Sequence, residues 1–341
     1  RELDARGLNL LAAIGGQLRT GGVRQEALQG GGRRTLRLSW RHARSEPPDQ
    51  VQPVRVRPVE NGRPQLDLRL SHDVTTVAQD EDGVIVTALT AAGPATFRGS
   101  WLIAADGGRS TVRKALDIGF EGFTYPEHFL VSGTRFDFKA RMADICSVNY
   151  TADPVEWYLL LQIPDMWRII MPVDPAIEPD AAVQERAIEA SLQNLLPRDE
   201  PYEIVVKAIY RVSQRVASAY RRGRAFLAGD AAHINNPLGG MGLNGGLHDA
   251  LNLTARLARV WHGAAEASSL DGYEAQRRPE AITAINAVTA RNKRLLEERD
   301  PEIRRRNLAE WARIAGDSEL AYDHLLQTSM ITSLRRSGML P

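Results

Sequence analysis

Apolar and polar positions divide the chain into stretches of different rhythm. Leu8, Leu10, Leu11, Ile14 and Leu18 fall near helical spacing and Gly21-Gly22 follows, so residues 1–32 read as a helix with a glycine-rich end. Residues 33–65, rich in Arg and Pro, carry no clear period. Over 66–105 the rhythm is that of strands. Leu66, Leu68 and Leu70 alternate, and Val84, Val86 and Ala88 alternate after the turn Glu81-Asp82-Gly83. The run Trp101-Leu102-Ile103-Ala104-Ala105 is apolar throughout, as in a strand buried on both faces. It stops at Asp106-Gly107-Gly108, before a helix predicted from near Ser110.

Between 124 and 215 short strand-like runs recur, among them Phe129-Leu130-Val131, Trp157 to Leu161, Trp167 to Met171 and Ile204-Val205-Val206. Turn signals such as Ile163-Pro164-Asp165 separate them, and one helix is predicted over about Ala181 to Leu196. That spacing predicts an antiparallel sheet. Arg224 to Ala228 form a further short strand, followed by Gly229-Asp230 and a loop of Asn, Pro and Gly. A helix is then predicted from near Asn244, with Leu247, Ala250, Leu251, Leu257, Ala258 and Trp261 as its apolar face. From about 271 onward the pattern is helical, and no internal repeat is present.

Two of these strand ends carry chemistry. The stronger runs from Gly229-Asp230 through His233, Pro237-Leu238-Gly239-Gly240-Met241-Gly242-Leu243-Asn244 to Gly245-Gly246. A strand delivers an aspartate to the sheet edge where α/β proteins bind ligands, and a carboxylate there can accept from ribose or ribityl hydroxyls. The five glycines after Asp230 let backbone approach a flat or phosphorylated ligand. The next helix points free N–H groups and partial positive charge at the same place, which suits an anion. Gly240 to Gly245 also satisfies G-x-G-x-x-G, but its position late in the chain argues against a dinucleotide-binding first turn. The second segment, Ala105-Asp106-Gly107-Gly108-Arg109-Ser110-Thr111-Val112-Arg113, repeats the plan: strand, aspartate, two glycines, and a helix that Ser110 or Thr111 can cap. Read alone, it serves equally as a well-capped connection with solvated arginines.

Both segments resemble those of the FAD-dependent aromatic hydroxylases built on the para-hydroxybenzoate hydroxylase fold. Asp106, Gly107 and Arg109 lie in the counterpart of the family's Asp-Gly segment. The resemblance implies that Asp106 helps organise FAD and nicotinamide binding. Gly229 through Gly246 matches the Gly-Asp segment along its whole length. By that resemblance Asp230 holds ribityl or ribose hydroxyls, Pro237 lines the reactive edge of the flavin ring, and the backbone of Gly240, Gly242, Leu243 and Asn244 faces the pyrimidine end. Weaker similarity covers about residues 5 to 335, and in it Arg6 corresponds to an arginine that reaches the FAD phosphates. Among the family's branches the similarity runs to hydroxylases of phenols and phenylpropionate-type acids. The implied fold is α/β. It comprises a FAD-binding three-layer Rossmann-like domain (1–123 and 216–280), a substrate domain with a mainly antiparallel sheet (124–215), and C-terminal helices (281–341).

One part of the family pattern is not in these 341 residues. There is no first βαβ unit with an N-terminal G-x-G-x-x-G, and no acidic residue for the adenosine ribose. Gly15-Gly16 and Gly30-Gly31-Gly32 do not follow a strand at the required spacing. By resemblance the absent strand sits mid-sheet, and a sheet without it exposes unpaired edges. The favoured expectation is a polypeptide that extends beyond the residues given. The competing one is a remnant, acting as a binding or scaffold protein, that binds flavin poorly or not at all.

The resemblance also implies a reaction: NADPH or NADH reduces FAD, O₂ gives a flavin C4a-hydroperoxide, and a small phenol-like aromatic ring takes the distal oxygen. Side chains cannot supply that oxidant, so a cofactor must. The protein's tasks are to orient the ring, exclude water and stabilise charge on the flavin. Pro237 and His233 are the catalytic candidates. For His233 the competing reading, a structural hydrogen-bonding residue, is the favoured one, and Tyr150, Tyr158 and Tyr210 are candidate bases by type alone. Tyr150, Tyr158, Trp167 and Met171 are the substrate-pocket candidates, with sheet core as the competing reading. Arg211 and Arg215 are candidates for meeting a substrate carboxylate. A halogenase or reductase on the same fold is the alternative activity, although Trp167-Arg168-Ile169-Ile170-Met171-Pro172 does not match the halogenase W-x-W-x-I-P stretch.

Composition narrows the partners. Forty-three basic and 42 acidic residues leave a net charge of +1, which gives no reason to expect nucleic acid or an anionic membrane. A single cysteine, Cys146, rules out an internal disulfide and points to a cytoplasmic setting. No apolar run is long enough to span a membrane, and no metal-ligand spacing is present. The helices from Ala281 to Leu334 offer either a homodimer surface or packing on the core.

Overall fold

The computed structural model describes residues 10–13, 36–38, 54–56, 69–142, 145–153 and 156–339. In chain order the strands are β1 (Leu10–Ala13), β2 (Leu36–Leu38), β3 (Val54–Val56), β4 (Asp73–Gln79), β5 (Val84–Thr90), β6 (Gly93–Gly99) and β7 (Trp101–Ala104). Helix α1 (Thr111–Ala115) follows, then β8 (Phe120–Thr134), β9 (Val148–Thr151), β10 (Tyr158–Ile163), β11 (Met166–Val173), α2 (Pro179–Ala182), α3 (Glu185–Leu195) and β12 (Ile204–Ala217). Next come β13 (Arg221–Arg222), β14 (Ala225–Leu227), β15 (His233–Ile234), α4 (Met241–Trp261), α5 (Asp271–Glu280), α6 (Ala287–Leu296), α7 (Pro301–Gly316), α8 (Ser318–Thr328) and α9 (Ile331–Arg336).

A sheet ordered β1-β7-β14-β13 carries both Asp-Gly strand ends, with β7 parallel to β1 and to β14. Leu102, Ala225, Phe226 and Leu227 are fully buried, as apolar runs covered on both faces should be. Beside it, β4-β5-β6 form an antiparallel meander whose Val84 and Val86 feed the same core. Asp80 closes the predicted turn by accepting from the amides of Asp82 and Gly83.

The mixed α/β architecture, with antiparallel sheet and helical C-terminus, is as expected. Three local expectations are corrected. Leu10–Ala13 is a strand against β7 where a helix was expected, because a short apolar run has no period that separates strand from buried helix. The strand expected over Leu66, Leu68 and Leu70 begins only at Asp73; Leu70 precedes it, and residues 66–68 lie outside the described residues. Helix α4 starts at Met241, three residues before Asn244, behind the left-handed Gly240. Its buried face is Met241, Gly245, Asp249, Asn252, Leu253 and Leu257. Leu247 and Leu251, expected inside, are 52% and 61% exposed, and Ala250, Ala258 and Trp261 are exposed too.

The large antiparallel sheet runs β15-β12-β8-β11-β10-β9. Side chains alternate between its faces, and the two faces have different neighbours. Leu130, Leu160, Trp167, Ile169, Met171 and Val173 pack with Ile188 and Leu192 of α3. Phe129, Leu159, Ile170 and Val212 pack with Leu238 of the Gly-Asp loop and Leu296 of α6. Pro279 stands inside α5, and a π-helical turn over Ala281–Asn286 follows before α6.

Candidate flavin site

The two Asp-Gly segments meet at the C-terminal ends of β7 and β14, where Ala104 pairs with Leu227 and the Ala228 amide donates to the Ala104 carbonyl (2.9 Å). Their aspartates have different duties. The Asp106 carboxylate accepts from Ser110 Oγ at 2.5 Å and from the Val112 amide at 3.1 Å, so it caps α1. Ser110 Oγ in turn accepts from the Arg113 amide. Asp230 is exposed, and no hydrogen bond from the described residues engages its carboxylate. Partial desolvation by the surrounding loop raises its pKa, and His233 opposes that.

Arg113 joins the segments. Its guanidinium donates to the carbonyls of Ala231 and Gly108, each at 2.8 Å, and stacks on Phe120 at 3.7 Å. Where one of the two readings of this segment had a solvated arginine, Arg113 is a buried bracket between the two loops. Arg109 is exposed.

The loop's glycines divide by duty. A Cβ on Gly246 would stand 3.2 Å from the Gly229 Cα, so this pair lets α4 sit against the strand end. A Cβ on Gly245 would meet Ile285 Cδ1 at 2.5 Å and His233 Cε1 at 3.0 Å. Gly240 is different: it has φ +64° and nothing within 4 Å of its missing Cβ. Its amide donates to the Pro237 carbonyl (3.0 Å), closing the turn, and its own carbonyl accepts from Asn244 Nδ2 (2.9 Å). Among the described residues no side chain caps α4. The first-turn amides of Gly242 and Leu243 therefore stay without an intrahelical partner, in the same loop-and-helix segment that carries Asp230. Leu243 and Asn244 are exposed there, and Pro237 is half-buried.

His233 lies elsewhere. It is buried beneath α4, stacks on Tyr220, and places Nε2 2.9 Å from Asp249 Oδ2. It belongs to the framework, which removes it from the catalytic candidates. Tyr158, Trp167 and Met171 leave the pocket as well, because strand alternation turns them toward α3. Of the pocket candidates only Tyr150 touches the loop: burial raises its pKa while the Gly239 backbone, hydrogen-bonded to it, pulls the other way. Tyr210 shares the loop-facing cluster with Leu238, and burial pushes its hydroxyl up to about 12, so it is a donor at neutral pH and no base. Arg215 is tied to Phe120 O and Thr124 Oγ1, and Arg211 is exposed. Arg6 lies outside the described residues.

Sequence reasoning missed the residues that hold the loop. Gln214 Oε1 accepts from the Asn236 amide (3.1 Å), while its Nε2 donates to Asn286 O and Thr289 Oγ1. Lys293 bridges Glu127 and Glu297, both at 2.5 Å, and lies over the Tyr125 ring. Glu297 also accepts from Trp157 Nε1 at 3.0 Å. Burial disfavours the ammonium, yet the two carboxylates hold its pKa above the usual value. For Asp249 a signal existed: aligned on Met241, Leu253 and Leu257, helical spacing puts 249 inside. Among the described residues no group of side chains is arranged to hold a metal ion, and no helix is long and apolar enough to cross a membrane.

A free carboxylate, an open left-handed glycine and an uncapped helix N-terminus around one strand end fit the ribityl chain, ring edge and negative charge of a flavin. Known proteins agree. A family model described as FAD binding domain matches residues 17–288. Para-nitrophenol 4-monooxygenase of Pseudomonas sp. (strain WBC-3) is 33% identical over 276 residues, 80% of this chain and 68% of that protein. 6-Hydroxy-3-succinoylpyridine 3-monooxygenase HspB of Pseudomonas putida (strain DSM 28022 / S16) is 37% identical over 206 residues, 60% of this chain and 51% of that one. The crystal structure of p-nitrophenol 4-monooxygenase PnpA from Pseudomonas putida DLL-E4 superposes with a TM-score of 0.73 at 33% identity, covering 78% of this chain and 68% of the other. The chain thus spans 51–68% of the length of these relatives.

Proposed function

This chain belongs to the FAD-binding aromatic hydroxylases, a family of flavoprotein monooxygenases, and from that premise we propose that it hydroxylates a small phenolic or hydroxylated heteroaromatic ring with FAD, O₂ and NADPH or NADH. The observation that carries the reading is Asp230: an exposed carboxylate with no hydrogen-bond partner among the described residues, in the segment that joins a strand end to the open N-terminus of α4. The relatives named for nitrophenol and hydroxypyridine oxidation support the substrate class. FAD, when bound, supplies the oxygen activation that no side chain can.

The chain's own residues supply the rest. Asp230 accepts hydrogen bonds from the cofactor's hydroxyls. The amides of the first turn of α4 stabilise negative charge at the ring. Pro237 and Gly239 set the loop that faces the large sheet, where Phe129, Leu159, Ile170 and Val212 form an apolar wall that excludes water. Tyr150, at the sheet edge against Gly239, and Tyr210, protonated at working pH, are the groups placed to orient a phenolic oxygen by donating to it.

The test is a visible spectrum of the purified protein before and after adding FAD, followed by NADPH and NADH with a panel of phenols. Flavin bands, bleached by the nicotinamide and faster with a phenol present, are the expected result, together with a hydroxylated product by mass spectrometry. A folded protein that takes up no FAD would sink the proposal.

A further inference from the structure

We propose that Asp249 is the positioning residue of the flavin site: one buried carboxylate that pins both sides of Asp230 and so aims it. Its Oδ2 accepts from the Gly229 amide at 3.1 Å and from His233 Nε2 at 2.9 Å. Gly229 precedes Asp230 and His233 follows it by three residues, so the tight turn Gly229–Ala231 that presents Asp230 is anchored at each end to the same oxygen atom. The other oxygen, Oδ1, accepts from Arg277 Nε of α5 at 2.8 Å. Arg277 is fully buried with Asp249, so the pair compensates two charges held away from water, with His233 on the other carboxylate oxygen. Arg277 also reaches the Gly245 carbonyl at 3.4 Å.

Nothing in this group faces the mouth, and its chemistry lies in position alone. Gly229 holds φ +59°, one of several conformations open to glycine, and its amide bond to Asp249 selects that one. The His233 ring fills the space left by the absent Cβ of Gly245 and stacks on Tyr220, so it cannot swing without displacing α4. Substituting Asn for Asp249 keeps the volume but leaves one carbonyl oxygen for three donors and strands the Arg277 charge. The turn then loses an anchor on at least one side of Asp230. The inference rests on the reading of Asp230 as a flavin ligand, although the ordering of the turn does not.

The experiment therefore uses two readouts on wild type and Asp249→Asn: FAD titration by quenching of flavin fluorescence, and amide hydrogen exchange of the FAD-free protein. Asp249→Asn is expected to bind FAD at least tenfold more weakly. Exchange over 228–235 should rise at least tenfold, with α3 (residues 185–195) unchanged. Exchange and affinity both within twofold of wild type would overturn the proposal. Should Asp249→Asn not fold, Arg277→Lys and Arg277→Leu serve instead, since neither touches the turn directly. Faster exchange over 228–235 in the Leu variant than in the Lys variant supports transmission through Asp249, and equal exchange overturns it. A wild type that binds no FAD would remove the flavin reading, while the exchange comparison would still decide whether Asp249 orders the turn.

Discussion

Asp106 and Asp230 end equivalent parallel strands, yet one carboxylate is consumed by the helix it starts and the other is left open. Exchange to alanine should separate them. Asp230→Ala is expected to weaken FAD binding by about tenfold or more, the scale of one or two lost charge-assisted hydrogen bonds, with little change in the melting temperature of the FAD-free protein. Asp106→Ala should cost about 1 kcal/mol of stability, as the loss of a helix cap does. Calorimetry beside a fluorescence titration distinguishes the two outcomes. The glycines give a second pair. Gly245→Ala drives a methyl group into Ile285 and His233, so a loss of about 1–3 kcal/mol is expected in chemical denaturation. Gly240→Ala meets no atom and bears only its left-handed φ of +64°, which costs about 1 kcal/mol, and its main effect should fall on FAD affinity.

Elements, in turn, act through their faces. The large sheet alternates strictly enough that Trp167, Ile169 and Met171 go to α3 while Ile170 goes to the Gly-Asp loop. A substitution such as Met171→Leu is thus a core change, whereas Ile170→Ala alters the wall of the proposed pocket. The π-helical turn after α5 matters for a related reason: the Asn286 carbonyl there receives Gln214 Nε2 (2.9 Å). From β12, Gln214 thereby links α6 and the Asn236 amide. Gln214→Leu leaves that buried amide without its acceptor, and a loss of about 1–3 kcal/mol is expected in urea unfolding. Replacing Tyr210 by Phe should leave the pH profile of turnover unmoved, because a hydroxyl held near 12 does not titrate in the working range. A shift in that profile would return Tyr210 to the list of bases.

At the scale of the whole molecule, two buried ionic groups tie C-terminal helices to the rest of the fold. Lys293 of α6 holds Glu127 of β8, and Arg277 of α5 holds Asp249 of α4. Lys293→Met strands Glu127 and is expected to cost about 3–5 kcal/mol, against at most about 1 kcal/mol for breaking the exposed Arg98–Asp80 pair. Asp249 adds an acid limb. Burial alone would raise its pKa, but His233 and Arg277 bring it below the ordinary 3.8. A group depressed on folding stabilises above its unfolded pKa and ceases to as pH falls through the folded one. The stability gap between wild type and Asp249→Asn should therefore narrow as pH drops below 3.8, which melting curves across acid pH would show.

Much of this was legible from local order in the chain. Strand, aspartate, glycines and helix follow one another in the sequence at 101–115 and 225–261, and such short-range successions are set by backbone preferences and burial that neighbours in sequence decide. The alternation of 166–173 likewise implied two faces. Local pattern could not say which face meets the loop, since both are apolar, and so it left pocket and sheet core open for Trp167 and Met171, which pack in the cluster with α3. Nor could it set the rotation of α4. Apolar residues surround that helix on several sides, and the side turned inward is chosen by Arg277 and His233, which reach Asp249 from elements 28 and 16 residues away. Tertiary structure alone settled which aspartate stays open, because Asp106, Ser110 and Val112 close on one another only when α1 turns back over the strand end, and among the described residues no donor closes on Asp230.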